Sequence, residues 1–225
     1  MEPVHPTVRS RKKVALATVA VLVVSAVVIA VLSREHLIVK RFAVVEPGQV
    51  FRGGYAKPWP LKRMIEKHGV KQILCLLDYR PHPASGPASQ AIALDNAARQ
   101  QQRLDEQKVA LETGAVIEEI PMPGNGCASF HDLDRAADIV ADPARRPLYV
   151  HCAAGVQRTG AVIAAYRMKH QGWSLKQALE EAEQHGLNRR KNPELYEHLQ
   201  RYAVRLEGAS EEDHVTDTAP TSGPS

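Results

Sequence analysis

Cysteine is scarce in this sequence, three in 225 residues, which excludes a disulfide framework and a four-cysteine zinc site. Aromatic residues make up only 5%, yet hydrophobic residues reach 44% and charged residues 24%, a balance that excludes a disordered chain. Positive charge is in slight excess, 29 Lys and Arg against 25 Asp and Glu. That excess suits an anionic substrate but supplies no dense basic stripe for nucleic acid. The ten histidines offer no helical i,i+4 pair with a suitable third ligand, so neither a metal site nor a cofactor is expected. No internal repeat is present. Three local absences matter more: no charge in residues 14–33, no Gly or Pro in 89–113, and no acidic residue in 120–127.

The uncharged run, Val14 to Ser33, is 20 residues long. As a helix at ~1.5 Å per residue it would measure about 30 Å, the thickness of a bilayer core. Arg9, Arg11, Lys12 and Lys13 precede it, which argues for a cytoplasmic N-terminus. The reading is a single-pass transmembrane helix with the following domain on the far side of the membrane, the periplasm in a bacterium. The alternative is a cleaved signal peptide, whose apolar region is usually only ~7–15 residues. The organisation predicted is thus a basic segment (1–13), a membrane helix (14–33), a soluble domain (34–207) and a disordered tail (208–225). The tail carries Glu211, Glu212, Asp213 and Asp217 and few large apolar groups.

Within 34–207 the elements alternate. Arg41 to Arg52 reads as a hairpin around Pro47-Gly48, broken by Gly53-Gly54. Leu61, Met64, Ile65 and His68 mark a short amphipathic helix capped by Gly69. Val70 to Leu77 is a buried strand, and Pro81, Pro83, Gly86 and Pro87 form a loop. The stretch 89–113 is a long helix ended by Gly114. Strand 115–120, a Pro- and Gly-rich loop, a helix from Ser129 and a strand at 147–151 follow. Helices then run from about Thr159, from Ser174 (with Gln177 as a capping box) and from Asn192-Pro193 to about Arg205. The fold class expected is α/β, with a central, mostly parallel sheet of about four to five strands flanked by helices on both faces.

One segment carries chemistry. Pro147-Leu-Tyr-Val-His151-Cys152-Ala153-Ala154-Gly155-Val156-Gln157-Arg158-Thr159-Gly160 joins a strand to a helix through a glycine-bearing loop. Such a junction makes a cradle of backbone N–H groups fitted to a tetrahedral oxyanion. Gly155 permits the positive φ that turns those groups inward. Cys152 at the floor of the cradle would be a thiolate. Arg158 can bind two phosphate oxygens with its planar fork, and Thr159 can hydrogen-bond the sulfur or position water. The combination is a nucleophile inside an anion hole.

This segment resembles the cysteine-dependent phosphatases, whose His-Cys-x5-Arg-Thr signature it matches at His151, Cys152, Arg158 and Thr159. About residues 42 to 187 resemble the dual-specificity branch as found in bacterial members, the hairpin Pro47 to Arg52 included. The resemblance implies a protein tyrosine phosphatase-like fold and hydrolysis of phosphate monoesters, on phosphotyrosine or dual-specificity protein substrates, through a phosphocysteine. It implies Cys152, Arg158 and Thr159 as catalytic residues and Ala153, Ala154, Gly155, Val156 and Gln157 as the phosphate cradle. Lipid or inositol phosphate substrates are an alternative, although the loop lacks the lysines that phosphoinositide-specific members often carry. A catalytically weak phospho-binding module is a second, and a redox sensor pairing Cys152 with Cys127 a third.

The family usually places an aspartic acid about thirty residues before the cysteine, where Ile120 to Cys127 holds only Asn125. Glu118 and Glu119 precede that loop, and His131, Asp132 and Asp134 follow it. Asp132 is the first choice as proton donor, with a helix-start role as its rival. Asp78, past a strand end, is an outside candidate. Cys75 reads as a packed thiol, His151 as an orienting residue, and Trp59 and Trp173 as packing anchors. Arg80 and His82 read as solvated loop residues.

Overall fold

A computed structural model describes residues 17–25, 28, 34–83 and 89–217. The chain forms two units, Met1–Ile38 and Val39–Ser225. In the first, residues 17–25 are helical and Arg34–Leu37 forms a single turn. The membrane-spanning expectation is corrected here. Among the described residues no helix is long and apolar enough to cross a membrane. The long helices of the second unit are polar along most of their length. The single-pass anchor and the localisation drawn from it therefore fall; residues 1–16, 26–27 and 29–33 lie outside the described residues.

The second unit opens with β1 (Ala43–Glu46) and β2 (Val50–Gly54), an antiparallel pair turning at Pro47-Gly48, where Gly48 takes φ 69°. Helix α1 (Pro58–His68) starts earlier than the apolar spacing suggests because Pro58, with φ preset, occupies its first turn; Gly69 closes it in the left-handed conformation. Then follow β3 (Gln72–Cys75), α2 (Ser89–Thr113) and β4 (Val116–Glu119). Next come α3 (Phe130–Ala141), a 3-10 turn (Pro143–Arg145) and β5 (Leu148–Cys152). Helices α4 (Gln157–Gln171), α5 (Leu175–Gln184) and α6 (Pro193–Asp217) complete the unit. Helix α6 passes the expected end near Arg205. No proline interrupts it before Pro220, and extending a formed helix is far easier than nucleating one. Residues 218–225 lie outside the described residues.

The sheet is mixed, in the order β1-β2-β5-β3-β4, with β1 antiparallel at one edge and the other pairings parallel. A tight hairpin joins only antiparallel neighbours, whereas each later strand returns through a helix. Strand alternation sorts the core into two faces. Val50, Leu74, Leu148, Val150 and Cys152 pack with α3 to α6, while Phe51, Ile73 and Tyr149 pack against α1 and Val109 of α2. Gly53-Gly54 does not break the hairpin: both continue β2, paired with His151 and Cys152. The ends of β2, β3 and β5 thus lie side by side, with Leu76 N donating to His151 O at 2.9 Å just beyond β3. In an open sheet of this kind the crevice beyond those strand ends is where ligands bind.

Candidate active site

Cys152 is the last residue of β5 and only 2% exposed. The chain then turns through Ala153 to Val156 into α4, with Gly155 at φ 73°. The Gly155 N–H donates to Cys152 Sγ at 3.3 Å. Two arginines hold the loop from outside. Arg52 Nη2 donates to Gly155 O at 3.2 Å, and Arg41 Nη1 donates to Ala154 O at 3.1 Å. These carbonyls are tied to the arginines, while the backbone N–H groups of Gly155 and Thr159 point at the sulfur, as in an anion nest. Tyr55 N donates to Cys152 O at 2.7 Å, fixing the loop's first peptide.

Burial alone would push the Cys152 thiol up. Hydrogen bonds from the Thr159 side chain and backbone, the Arg158 charge and the Gly155 N–H outweigh it and bring the thiol down to about 7. Thr159 Oγ1 also lies 3.5 Å from Gly53 O. One hydroxyl hydrogen cannot serve both, and 3.5 Å is long for an O–H···O bond, so its hydrogen goes to the sulfur. Arg158, on the first turn of α4, donates from Nη1 to Leu76 O at 3.4 Å. Its Nε is buried with no hydrogen-bond partner among the described residues. Gln157 donates from Nε2 to Asn192 Oδ1, tethering the loop's last residue to the start of α6. The structure therefore sets Cys152, Ala153, Ala154, Gly155, Val156, Gln157, Arg158 and Thr159 along the turn from β5 into α4.

Asp132 is not in that network. It sits in the first turn of α3, where its backbone N–H donates to Ser129 Oγ at 3.1 Å and its Oδ2 accepts from the same hydroxyl at 2.7 Å. That is the helix-start role. Asp78 is gripped by Arg80 through Nε at 2.9 Å and Nη2 at 2.6 Å, and this hydrogen-bonded cation holds its carboxyl down at about 2. A carboxyl held so low is a poor proton donor near neutrality. Asn125 contacts Glu194, and its side-chain oxygen accepts from Cys127 N at 3.1 Å. The three cysteines are free thiols; burial, then Glu194, pushes the Cys127 thiol up.

Behind the nucleophile, on the opposite face of β5, His151 is fully buried and its Nε2 lies 2.6 Å from Oε1 of Glu106, itself 3% exposed. Donor atoms of Cys75, Glu106 and His151 all lie within 4.8 Å of one another. The 2.6 Å contact is a direct ion pair rather than a metal-ligand geometry, because two ligands each ~2.0–2.1 Å from a tetrahedral ion stand about 3.3 Å apart. The sequence marks Arg41 and Arg52 as the ends of the hairpin without giving either a role, and gives Tyr55 and Glu106 no place in the site. For Glu106 a signal existed: it shares i, i+3, i+4 spacing with Val109 and Ala110, the buried stripe of α2.

A five-stranded mixed sheet with a cysteine-to-arginine cradle between its central strand and the next helix defines the protein tyrosine phosphatase class of fold. The family model described as DSP-PTPase phosphatase fused to NAD+ kinase matches residues 91–198. The chain is 28% identical over 155 residues to the inositol diphosphatase SIW14 of Saccharomyces cerevisiae, covering 67% of this chain and 47% of that protein. It is also 28% identical over 122 residues to the protein-tyrosine-phosphatase IBR5 of Arabidopsis thaliana, covering 48% of each. The solved core catalytic domain of SIW14, in complex with citrate, superposes with a TM-score of 0.56 at 22% identity, covering 79% of this chain and 95% of that one. In sequence the chain is similar to cysteine-dependent dual-specificity phosphatases over these stretches, and its fold is that of the solved phosphatase domain. It spans about half the length of the two curated relatives.

Proposed function

We propose that this chain hydrolyses phosphate monoesters through a phosphocysteine at Cys152. The observation that carries the reading is a buried sulfur that accepts from the Gly155 and Thr159 backbone N–H groups and the Thr159 hydroxyl beside Arg158, and is held down to about 7. The thiolate attacks phosphorus; an S–P bond forms as the P–O bond to the leaving group breaks. Water then attacks phosphorus, the S–P bond breaks, and thiolate and inorganic phosphate are released. Through both steps the loop N–H groups and the Arg158 fork bind the equatorial oxygens, where charge accumulates. The buried Arg158 Nε is the donor for which a phosphate oxygen supplies a partner. Thr159 steadies the sulfur as attacking and leaving group.

The loop 120–127 offers no carboxylic acid. Leaving groups that need little protonation are then favoured: an aryl oxide, as in phosphotyrosine, or a phosphate released from a diphosphate. The second option gives a specific reason to keep inositol phosphates among the substrates, since the relative SIW14 is named an inositol diphosphatase. Alkyl phosphates, as in phosphoserine, would turn over slowly. The test is phosphate release from an aryl phosphate, a phosphotyrosine peptide, a phosphoserine peptide and an inositol diphosphate, each beside Cys152→Ser. Activity on the aryl ester or the diphosphate, abolished by the serine, supports the reading. Phosphopeptide binding without release would make this a binding module.

A further inference from the structure

The face of β5 opposite the nucleophile holds a charged pair that the proposed reaction does not use. Glu106 stands on α2, a largely polar helix, and is one of three residues that helix buries. Taking a carboxylate out of water is expensive unless it is paired and its other lone pairs are filled. Both oxygens are engaged: Oε1 with His151 Nε2 at 2.6 Å, and Oε2 with the Tyr79 hydroxyl at 3.3 Å. An apolar pair of similar volume often stabilises a core at least as well, so stability is a weak reason for this arrangement.

The other ring nitrogen supplies a better one. His151 Nδ1 lies 3.4 Å from the carbonyl oxygen of Cys152. A carbonyl only accepts, so Nδ1 carries a proton; a carboxylate oxygen 2.6 Å from Nε2 would repel a bare lone pair there, so that nitrogen carries one too. The imidazolium beside the carboxylate suits both contacts. We infer that Glu106 is a positioning residue: by keeping both nitrogens of His151 protonated, it anchors the Cys152 carbonyl and thereby the strand end from which the nucleophile projects. The same oxygen accepts from Tyr55 N, so it is held from two directions. The inference rests on the proposed thiol chemistry of Cys152.

The remaining groups facing the pair are Cys75 from β3, Tyr79 beyond it, Tyr149 stacked on the His151 ring at 5.4 Å, and Tyr55 after β2. Burial pushes all four up, Tyr55 to about 12, so each is neutral near pH 7. Asp105, also on α2, bears on Tyr55. Directions within the pair agree with its close approach. Burial opposes charge on both members, but the partner's charge wins, raising His151 and lowering Glu106.

The experiment reads Cys152 without needing turnover. Iodoacetamide alkylation of Cys152 is followed against pH in the full chain and in Glu106→Gln, with thermal unfolding as the check on folding. The expected result is a midpoint displaced upward by about one unit, so roughly tenfold less thiolate at pH 6. A superimposable profile overturns the inference. Because Glu106→Gln can fail to fold, the native chain is also read directly, by 15N NMR of the His151 ring. Both nitrogens protonated at pH 8 is the expected outcome; a neutral tautomer at pH 7 overturns it. A chain that shows these signatures but releases no phosphate loses the proposed function and keeps the inference. An active chain with an unshifted profile does the reverse.

Discussion

Gly155 and Gly53 approach so closely that a β-carbon on Gly155 would lie 2.4 Å from the Gly53 carbonyl carbon. The strand end of β2 and the cradle are thus fitted together at backbone contact, and Gly155 also needs its left-handed φ of 73°. Gly54 faces the same constraint, with a β-carbon 2.8 Å from Ala153 O. Gly155→Ala combines ~1–2 kcal/mol of left-handed strain with ~1–3 kcal/mol of overpacking. Displacing the loop N–H groups by even about 1 Å costs on the order of 10²-fold in rate. Thermal unfolding and aryl phosphate turnover of Gly155→Ala test this. A variant with native Tm and rate would show that the contact is not tight.

Arg158→Lys keeps the charge but not the fork. Lysine cannot span two oxygens in one plane, so the expected loss is roughly 10²–10³-fold in kcat, the range for removing one transition-state donor. The thiol should shift little, because the charge near Cys152 is retained. Steady-state kinetics with an alkylation profile separate these effects. A large KM change with native kcat would mean that Arg158 only holds the ground state.

The pH dependence follows from Cys152. Its thiol stands at about 7 in the folded chain, against an ordinary value of 9.0. Below pH 7 the thiolate falls about tenfold per unit, and kcat/KM on an aryl phosphate should fall with it. No acidic residue lies in the loop 120–127 to be lost on the alkaline side, so the profile should stay level toward pH 9. The sign for stability is set by the lowered value. The folded chain favours the thiolate, so its stability relative to Cys152→Ser is full above pH 9 and is lost as pH falls toward 7. Thermal unfolding of both forms at pH 6, 7.5 and 9 tests this. A constant difference would mean the thiol is not shifted.

Legibility in the sequence followed the physics of each feature. Helix α2 was readable to its ends because Gly and Pro are absent from it and Gly114 stops it. The hairpin, the Ser174–Gln177 capping box and the cradle announce themselves by residue types that few other conformations demand. Gly53-Gly54 misled because glycine usually ends a strand, whereas here it makes room for another backbone. The apolar run 14–33 is long enough by composition to suggest a span, whereas no helix among the described residues is long and apolar enough to cross a membrane. Glu106 was hidden because a periodic pattern shows that α2 has a buried stripe, not that an acid in it meets a histidine from the strand before the cradle. Arg52 and Arg41 act through carbonyls a hundred residues away, contacts that no local pattern encodes.

The proton donor is the remaining point, and Asp132 can be separated from its helix-start role directly. In the structure its carboxylate and Ser129 cap each other at the start of α3. Asp132→Ala removes a negative group from the first turn, a loss of about 0.3–1 kcal/mol. Ser129→Ala removes the cap itself, about 1 kcal/mol. If capping is the whole role, both variants lower Tm slightly and leave kcat on aryl and alkyl phosphates within about twofold of native, well short of the ~10²–10⁴-fold that general acid catalysis supplies. A general acid would behave otherwise. Asp132→Ala would then depress alkyl phosphate turnover far more than aryl, since only the poorer leaving group needs the proton. The ratio of the two rates across the variants is therefore the measurement: a constant ratio keeps Asp132 as a cap, and a ratio that moves by tenfold or more in Asp132→Ala but not in Ser129→Ala makes it the acid.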